Sequence, residues 1–319
     1  MQTKRELFGN SMLLLCALVW GFAFAFQRSA ASQIHPIAFN GLRFCLASAV
    51  VGVFLLIYEF INKKRNLKTS KWNKSTVFGG MLCGATLFLA SNLQQYGLIY
   101  TSAGKSGFIT ALYIVLVPVF GILALKKISV LSRFAIPVAI AGFWLMCSGE
   151  GNSVGKGELL GLGSTVFFAF QILFIDEFGQ DSDPIKLTLV QFLTCAVLSV
   201  AGMGVVGFPD GAIVKESIVS VIYVGVFSAG IGYTLQTVGQ KYTEPSVAAL
   251  IMSLESVVGM IGGALILHET HSLAELAGCM LVFVSVILAQ ASLPKKFLQF
   301  DKNRFILTSQ STKNKREIL

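Results

Sequence analysis

Three ionisable side chains stand inside long apolar runs and are the chain's best candidates for chemistry. Glu255 lies about ten residues into the run 246–267. An acid at membrane depth costs several kcal/mol and ordinarily faces a cavity or a partner. Two readings fit it: a substrate or proton site, or an acid tied to Lys, Ser or Gln for packing alone. Arg43 lies about two turns into the run 36–58, and Lys105 opens the run 102–125. Each is placed to attract an anionic group or, on its long stem, to snorkel to the nearer interface. Ser91, Asn92, Gln94 and Gln95 form a polar face, and Gln171, Tyr233 and Gln236 are its partners elsewhere. They either line a cavity or join helices by hydrogen bonds of modest energy. Trp20, Phe22, Phe24 and Phe26 read instead as core or lipid-facing aromatics.

Enzyme chemistry finds no matching set. The three histidines (His35, His268, His271) fall near the ends of apolar runs, and neither an H-E-x-x-H nor a Ser-His-Asp arrangement emerges. His268 and His271 beside Glu269 read as an exposed polar cap and not as a metal site. The stretch "GKGELLGLG" at 155–163 lacks the spacing of a phosphate loop. No cofactor, metal or catalytic residue is expected.

The elements that must position these groups follow from composition. The chain is 54% hydrophobic and 13% charged, with a mean hydropathy of +0.72, whereas soluble domains carry about 25% charged residues. Runs of about 20 apolar residues, enough to cross a bilayer, account for this. Ten are expected, at 9–31, 36–58, 76–98, 102–125, 132–149, 157–178, 184–206, 217–238, 246–267 and 273–293. Between them fall breaks such as "NKKRNLKTSKWNK" at 62–74, "KK" at 126–127 and "DEFGQDSDP" at 176–184. Lys4 and Arg5 before the first run mimic a secretory signal, but that run is long for one.

With the N-terminus inside, the cytoplasmic segments hold 20 of the 25 Lys and Arg residues, among them six in the 62–74 loop and seven beyond Pro294. By the positive-inside rule both termini are cytoplasmic. The net charge of +9 therefore reads as topology and attraction to anionic lipid, with no nucleic acid as partner. The acidic stretch 176–183 falls on the same side, though acids weigh little in the rule. All six cysteines lie within the runs and none forms C-x-x-C, so they read as packing residues.

The chain also repeats itself. "LQQYGLIYT" (93–101) and "LQTVGQKYT" (235–243) share L-Q-x-x-G-x-x-Y-T at an offset of 142. This makes Gln94, Gly97 and Tyr100 the counterparts of Gln236, Gly239 and Tyr242, as gate or turn residues. The same offset sets Tyr113 opposite Glu255, whereas a four-residue shift would improve the match around Pro118 and break that pairing. At an offset of 148, Phe22, Phe26 and Pro36 match Phe170, Phe174 and Pro184. Five runs per copy is an odd number, so the second copy enters the membrane from the other side. That is the inverted-repeat plan of secondary transporters.

On these features the chain resembles the EamA family of the drug/metabolite transporter superfamily. The resemblance rests on "LVWGFAFAFQRSA" with Trp20-Gly21, "RF" at 43–44, "QYGLIYTSAGKSGFITALYIVLVPVFGILALKK" at 95–127 and "EPSVAALIMSLESVVGMIGGALILHET" at 244–270. Where members carry Glu-Pro and then Gly-Glu, this chain has Glu255-Ser256 and His268-Glu269; Lys126-Lys127 stand where an acid often closes the first copy. The resemblance implies an all-α integral membrane protein of ten helices, two inverted five-helix repeats around a central cavity. It implies residues 1–8 as a cytoplasmic N-terminus, 9–149 and 157–293 as the repeats, 150–156 as a linker and 294–319 as a basic cytoplasmic tail. The expected activity is alternating-access transport of small metabolites, amino acids or drugs across the cell membrane, outward and with a proton as candidate coupling ion. The alternative is a membrane receptor or scaffold that transports nothing. Asn92, Gln95, Tyr113, Gln171, Tyr233 and Glu255 form the expected cavity set, and Arg43, Lys105 and Glu255 the expected anion or proton sites.

Overall fold

A computed structural model describes residues 4–65, 70–123, 130–147 and 154–291, and among these every regular element is helical. The first half comprises α1 (Lys4–Ala31), α2 (Pro36–Lys64), α3 (Lys74–Gly97), α4 (Ala103–Ala111), α5 (Tyr113–Leu123) and α6 (Val130–Cys147). The second comprises α7 (Lys156–Gly179), α8 (Pro184–Val206), α9 (Gly211–Glu216), α10 (Ile218–Ile222), a π-helical segment (Tyr223–Tyr233), α11 (Thr234–Gln240), α12 (Pro245–Ser253), α13 (Glu255–Leu267) and α14 (Leu273–Ala291). Among the described residues seven helical stretches are long and apolar enough to cross a membrane, and Ala103–Val117, Pro137–Met146 and Leu273–Ser285 are shorter apolar helices. Lys126, Lys127, the linker residues 150–153 and the tail 294–319 lie outside the described residues.

Helix suits this chain because, away from water, each backbone N–H and C=O must find its partner within its own segment. The starts are set by local chemistry. Pro36, Pro184 and Pro245 occupy first-turn positions, where a missing N–H costs nothing. Asn73, Ser102, Asp183 and Asp210 accept hydrogen bonds from the free N–H groups of α3, α4, α8 and α9. Hydroxyls inside the bundle bond back to their own helix, as Ser91 Oγ does to the Leu87 carbonyl at 2.7 Å. Cys16, Cys83, Cys195 and Cys279 are free and buried, while Cys45 is free and exposed.

Three of the ten predicted runs are not single α-helices. The run 102–125 breaks at Leu112, between α4 and α5, and 246–267 breaks at Leu254, between α12 and α13. The two breaks are themselves 142 residues apart. Within 217–238, eleven residues adopt π geometry. This wider form is rare and is commonly found at functional sites. It carries Gly225, Gly230 and Gly232, of which Gly232 leaves room for the Trp20 indole: a Cβ there would lie 2.4 Å from Trp20 Nε1.

The repeated nonapeptide acquires a physical role here. A Cβ at Gly97 would lie 2.9 Å from the Gly157 carbonyl oxygen, and one at Gly239 3.0 Å from the Gly9 carbonyl oxygen. So α3 crosses α7, and α11 crosses α1, with backbones touching. The threonine that ends each motif ties the crossing down. Thr101 Oγ1 donates to Glu158 Oε1 at 3.0 Å, and Thr243 Oγ1 donates to Asn10 Oδ1 at 2.9 Å. Each acceptor follows the glycine that the crossing rests on. Small residues permit such close approach where no hydrophobic effect drives helices together. Overpacking typically costs about 1–3 kcal/mol. Gly97→Leu and Gly239→Leu are therefore each expected to lower the thermal unfolding midpoint in detergent. Gly204→Leu, at a position with nothing within 4 Å of a Cβ, should leave it nearly unchanged. Equal shifts in all three variants would refute the crossing role.

Candidate functional site

Two helix breaks bring the chain's most informative polar pair together. Tyr113 is the first residue of α5 and Glu255 the first of α13, each immediately after its break. Tyr113 Oη donates to Glu255 Oε1 at 3.1 Å, and both side chains are about 2% exposed. They line a cavity of about 400 Å³ of empty space, its mouth included, with walls from α1, α2, α3, α4, α5, α7, the π-helical segment, α11 and α13. Among the described residues, Glu255 is the only carboxylate in that wall.

Arg43 is the wall's cation, and the snorkelling reading is corrected: only 3% of it is exposed. Its Nη1 donates to Gln27 Oε1 at 3.2 Å and Nη2 to Ser228 Oγ at 3.4 Å, while Nε is unpartnered. The guanidinium lies 5.0 Å from the Phe44 ring centroid and 5.9 Å from that of Tyr233. This geometry partly offsets its desolvation. No described carboxylate approaches Arg43 within ion-pair distance, so the guanidinium and the Glu255 carboxyl group face one cavity without pairing.

Between the charges the wall is aromatic and amide. Trp20 packs against Tyr233, centroids 4.6 Å apart and planes tilted by 56°, and donates its indole N–H to the Ser228 carbonyl at 2.9 Å. Gln171 Nε2 donates to Gln191 Oε1 at 3.1 Å and to Gln236 Oε1 at 3.2 Å; Gln94 Nε2 donates to Thr110 Oγ1 at 2.9 Å. Phe24, Phe168 and Ile172 supply apolar wall. Such a site can hold a small molecule by charge, amide hydrogen bonds and flat apolar surface. Among the described residues no three His, Cys, Asp or Glu side chains are grouped to hold a metal.

Of the expected cavity set, Tyr113, Gln171, Tyr233 and Glu255 line the wall, and the turn residues Gln94 and Gln236 join them. Asn92 and Gln95 do not. Asn92 Oδ1 accepts from Asn40 at 3.2 Å and Gln95 donates to the Gln27 carbonyl at 2.9 Å, fastening α3 to α2 and α1. Lys105 also lies elsewhere, 2.6 Å from Glu275 of α14. Tyr100 and Tyr242 are exposed, at 53% and 38%. Gly97 and Gly239 serve the helix crossings. Trp20 and Phe24, read from sequence as core or lipid-facing, are wall residues. With Gln27 they occur at i, i+4 and i+7, one stripe of α1, a signal the sequence reading left unused. Thr110 and Ser228 had no such signal.

Several helices long and apolar enough to cross a membrane surround a buried polar cavity, an arrangement that membrane transport proteins share. The sequence profile of the EamA-like transporter family matches residues 7–148 and again 155–290. The chain belongs to that family. Similar proteins are transporters described as uncharacterized. One from Archaeoglobus fulgidus is 28% identical, over 89% of this chain and 86% of its own length. Another, YvbV of Bacillus subtilis, is 26% identical, over 87% of this chain and 90% of its own. A solved crystal structure superposes with a TM-score of 0.66 at 16% identity, covering 91% of this chain and 98% of that one. That last likeness concerns the fold alone.

Proposed function

We propose that the chain is a secondary transporter built as two inverted five-helix repeats, ten membrane helices in all, working by alternating access. The observation that carries this reading is the Tyr113–Glu255 contact. Residues at equivalent positions of two repeats meet only near the axis that relates them, and here they meet in the wall of the cavity. The doubled crossings (Gly97 on Gly157, Gly239 on Gly9) and the two family matches, one per half, support it further. A site on the axis belongs to both halves, so rocking one half against the other exposes it to each side in turn. The distribution of Lys and Arg supports cytoplasmic termini at the cell membrane.

Arg43 and Glu255 face one small cavity from different helices. The substrate that complements them carries a carboxylate and an ammonium group on a compact, partly apolar body, as amino acids and related amines do. Glu255 also serves as the proton carrier, and the direction is outward. The test is purified protein screened by thermal shift against zwitterions, their amides and their decarboxylated amines. Flux of each hit is then measured in proteoliposomes. Stabilisation and saturable flux of a zwitterion are expected. Stabilisation without flux by any hit would favour the receptor or scaffold reading.

A further inference from the structure

We propose that Arg43, Gln27 and Ser228 form a binding site for one small monovalent inorganic anion, with chloride as the probe. The anion takes the place of a substrate carboxylate, so the two compete. The site stands on geometry alone; the competition rests on the transport reading above.

Charge is the first ground. A guanidinium keeps its proton in a protein, so Arg43 is a full positive charge buried in a helix long and apolar enough to cross a membrane. The groups against it are neutral: the Gln27 amide, the Ser228 hydroxyl and the rings of Phe44 and Tyr233. Dipoles and ring faces lower the cost of such a burial without cancelling it, and an ion left uncompensated in a low-dielectric interior remains unfavourable. Glu255 does not supply the missing charge in contact. Its carboxyl group accepts from Tyr113 at 3.1 Å and makes no ion pair with Arg43.

The direction of the hydrogen bonds is the second ground. Gln27 and Ser228 each spend a side-chain acceptor on the guanidinium, at 3.2 and 3.4 Å. With Oε1 committed to Arg43, the Gln27 amide is left with the two N–H groups of Nε2, which no described residue accepts. The Ser228 hydroxyl keeps its own proton to donate, while its carbonyl is spent on the Trp20 N–H at 2.9 Å. Arg43 Nε has no partner. What these three side chains leave over is chiefly donor, and all three line the cavity. Donors grouped round a cation suit an anion and repel a second cation. One guanidinium balances one negative charge, which a multiply charged oxyanion would exceed. Trp20 and Phe24 are neighbours in the same wall, so a compact anion that sheds its water readily fits best. The anion thus holds the place of the carboxylate until substrate displaces it.

Equilibrium dialysis of radiolabelled chloride against the purified full chain, with gluconate holding the ionic strength constant, should show saturable binding of about one chloride per chain. Arg43→Gln is expected to abolish it. Gln27→Met keeps the cation, removes the amide donors and should weaken binding several-fold; it carries the test if Arg43→Gln does not fold. Absence of saturable binding by the folded wild type, or undiminished binding in either variant, overturns the proposal. A zwitterion found in the thermal-shift screen should displace the label. With chloride at about ten times its own Kd, the apparent Kd of that zwitterion should rise about elevenfold. If chloride binds at Arg43 and no stabilising zwitterion displaces it, the anion site stands and the assignment of a substrate carboxylate to Arg43 fails. If a zwitterion is transported and chloride does not bind, the transport reading stands and the anion site falls.

Discussion

Replacing Glu255 with glutamine is expected to abolish substrate accumulation driven by a pH gradient while leaving exchange of substrate for substrate intact. Glutamine keeps the shape and the oxygen that accepts from Tyr113 Oη, now 3.1 Å away. It loses the capacity to bind and release a proton, and with it the charge that complements an ammonium group, so counterflow is read at saturating substrate. Among the described residues no other carboxylate lines the cavity, so none of them is positioned to take over. For one proton per substrate, a gradient of one pH unit supports about tenfold accumulation, because ~1.4 kcal/mol is a factor of ten. In proteoliposomes that factor should fall to about one in Glu255→Gln, while counterflow persists. Tyr113→Phe, which leaves the carboxyl group in place, should retain the gradient dependence. Unchanged gradient-driven uptake in Glu255→Gln would sink the proton role.

Arg43→Gln should separate ligands by charge. A hydrogen bond to a charged group contributes about 1.5–3 kcal/mol, which corresponds to roughly 10- to 150-fold in affinity. The variant is expected to lose that factor for a zwitterionic ligand and little for the corresponding amide or decarboxylated amine. The comparison between ligands matters because Arg43 also holds structure together. It bridges Gln27 of α1 and Ser228 of the π-helical segment, and it lies against Phe44 and Tyr233. A merely structural arginine would weaken every ligand alike. Equal losses across the three compounds, read by thermal shift and by flux, would therefore exclude carboxylate recognition.

Much of the helical framework was legible because apolar runs, prolines and capping residues act locally. The starts at Pro36, Lys74, Pro184 and Pro245 follow from such signals, each within a few residues of its predicted run. The contact of Tyr113 with Glu255 was legible in part, since the repeat offset paired them before any geometry was known. The breaks that aim these residues inward were not. Leu112 and Leu254 have no turn chemistry of their own, so the break belongs to packing around the cavity. The π-helical segment was likewise unreadable: its composition is that of any apolar run, and the close approach of the Trp20 side chain to Gly232 is visible only in the folded chain. Asn92 and Gln95 were misplaced for a general reason. An amide in a membrane helix has the same composition whether it faces a cavity or a neighbouring helix.

On the inverted-repeat reading, the Tyr113–Glu255 contact also carries a statement about ancestry. A side chain on the two-fold axis of a homodimer must face its own copy, so an antiparallel pair of identical five-helix chains would set tyrosine against tyrosine or acid against acid there. A phenol opposite a carboxylate is open only to two halves whose sequences have parted. Joining the halves in one polypeptide thus permits an asymmetric centre, with a donor from one side and an acceptor from the other, which no symmetric precursor of the fold could assemble.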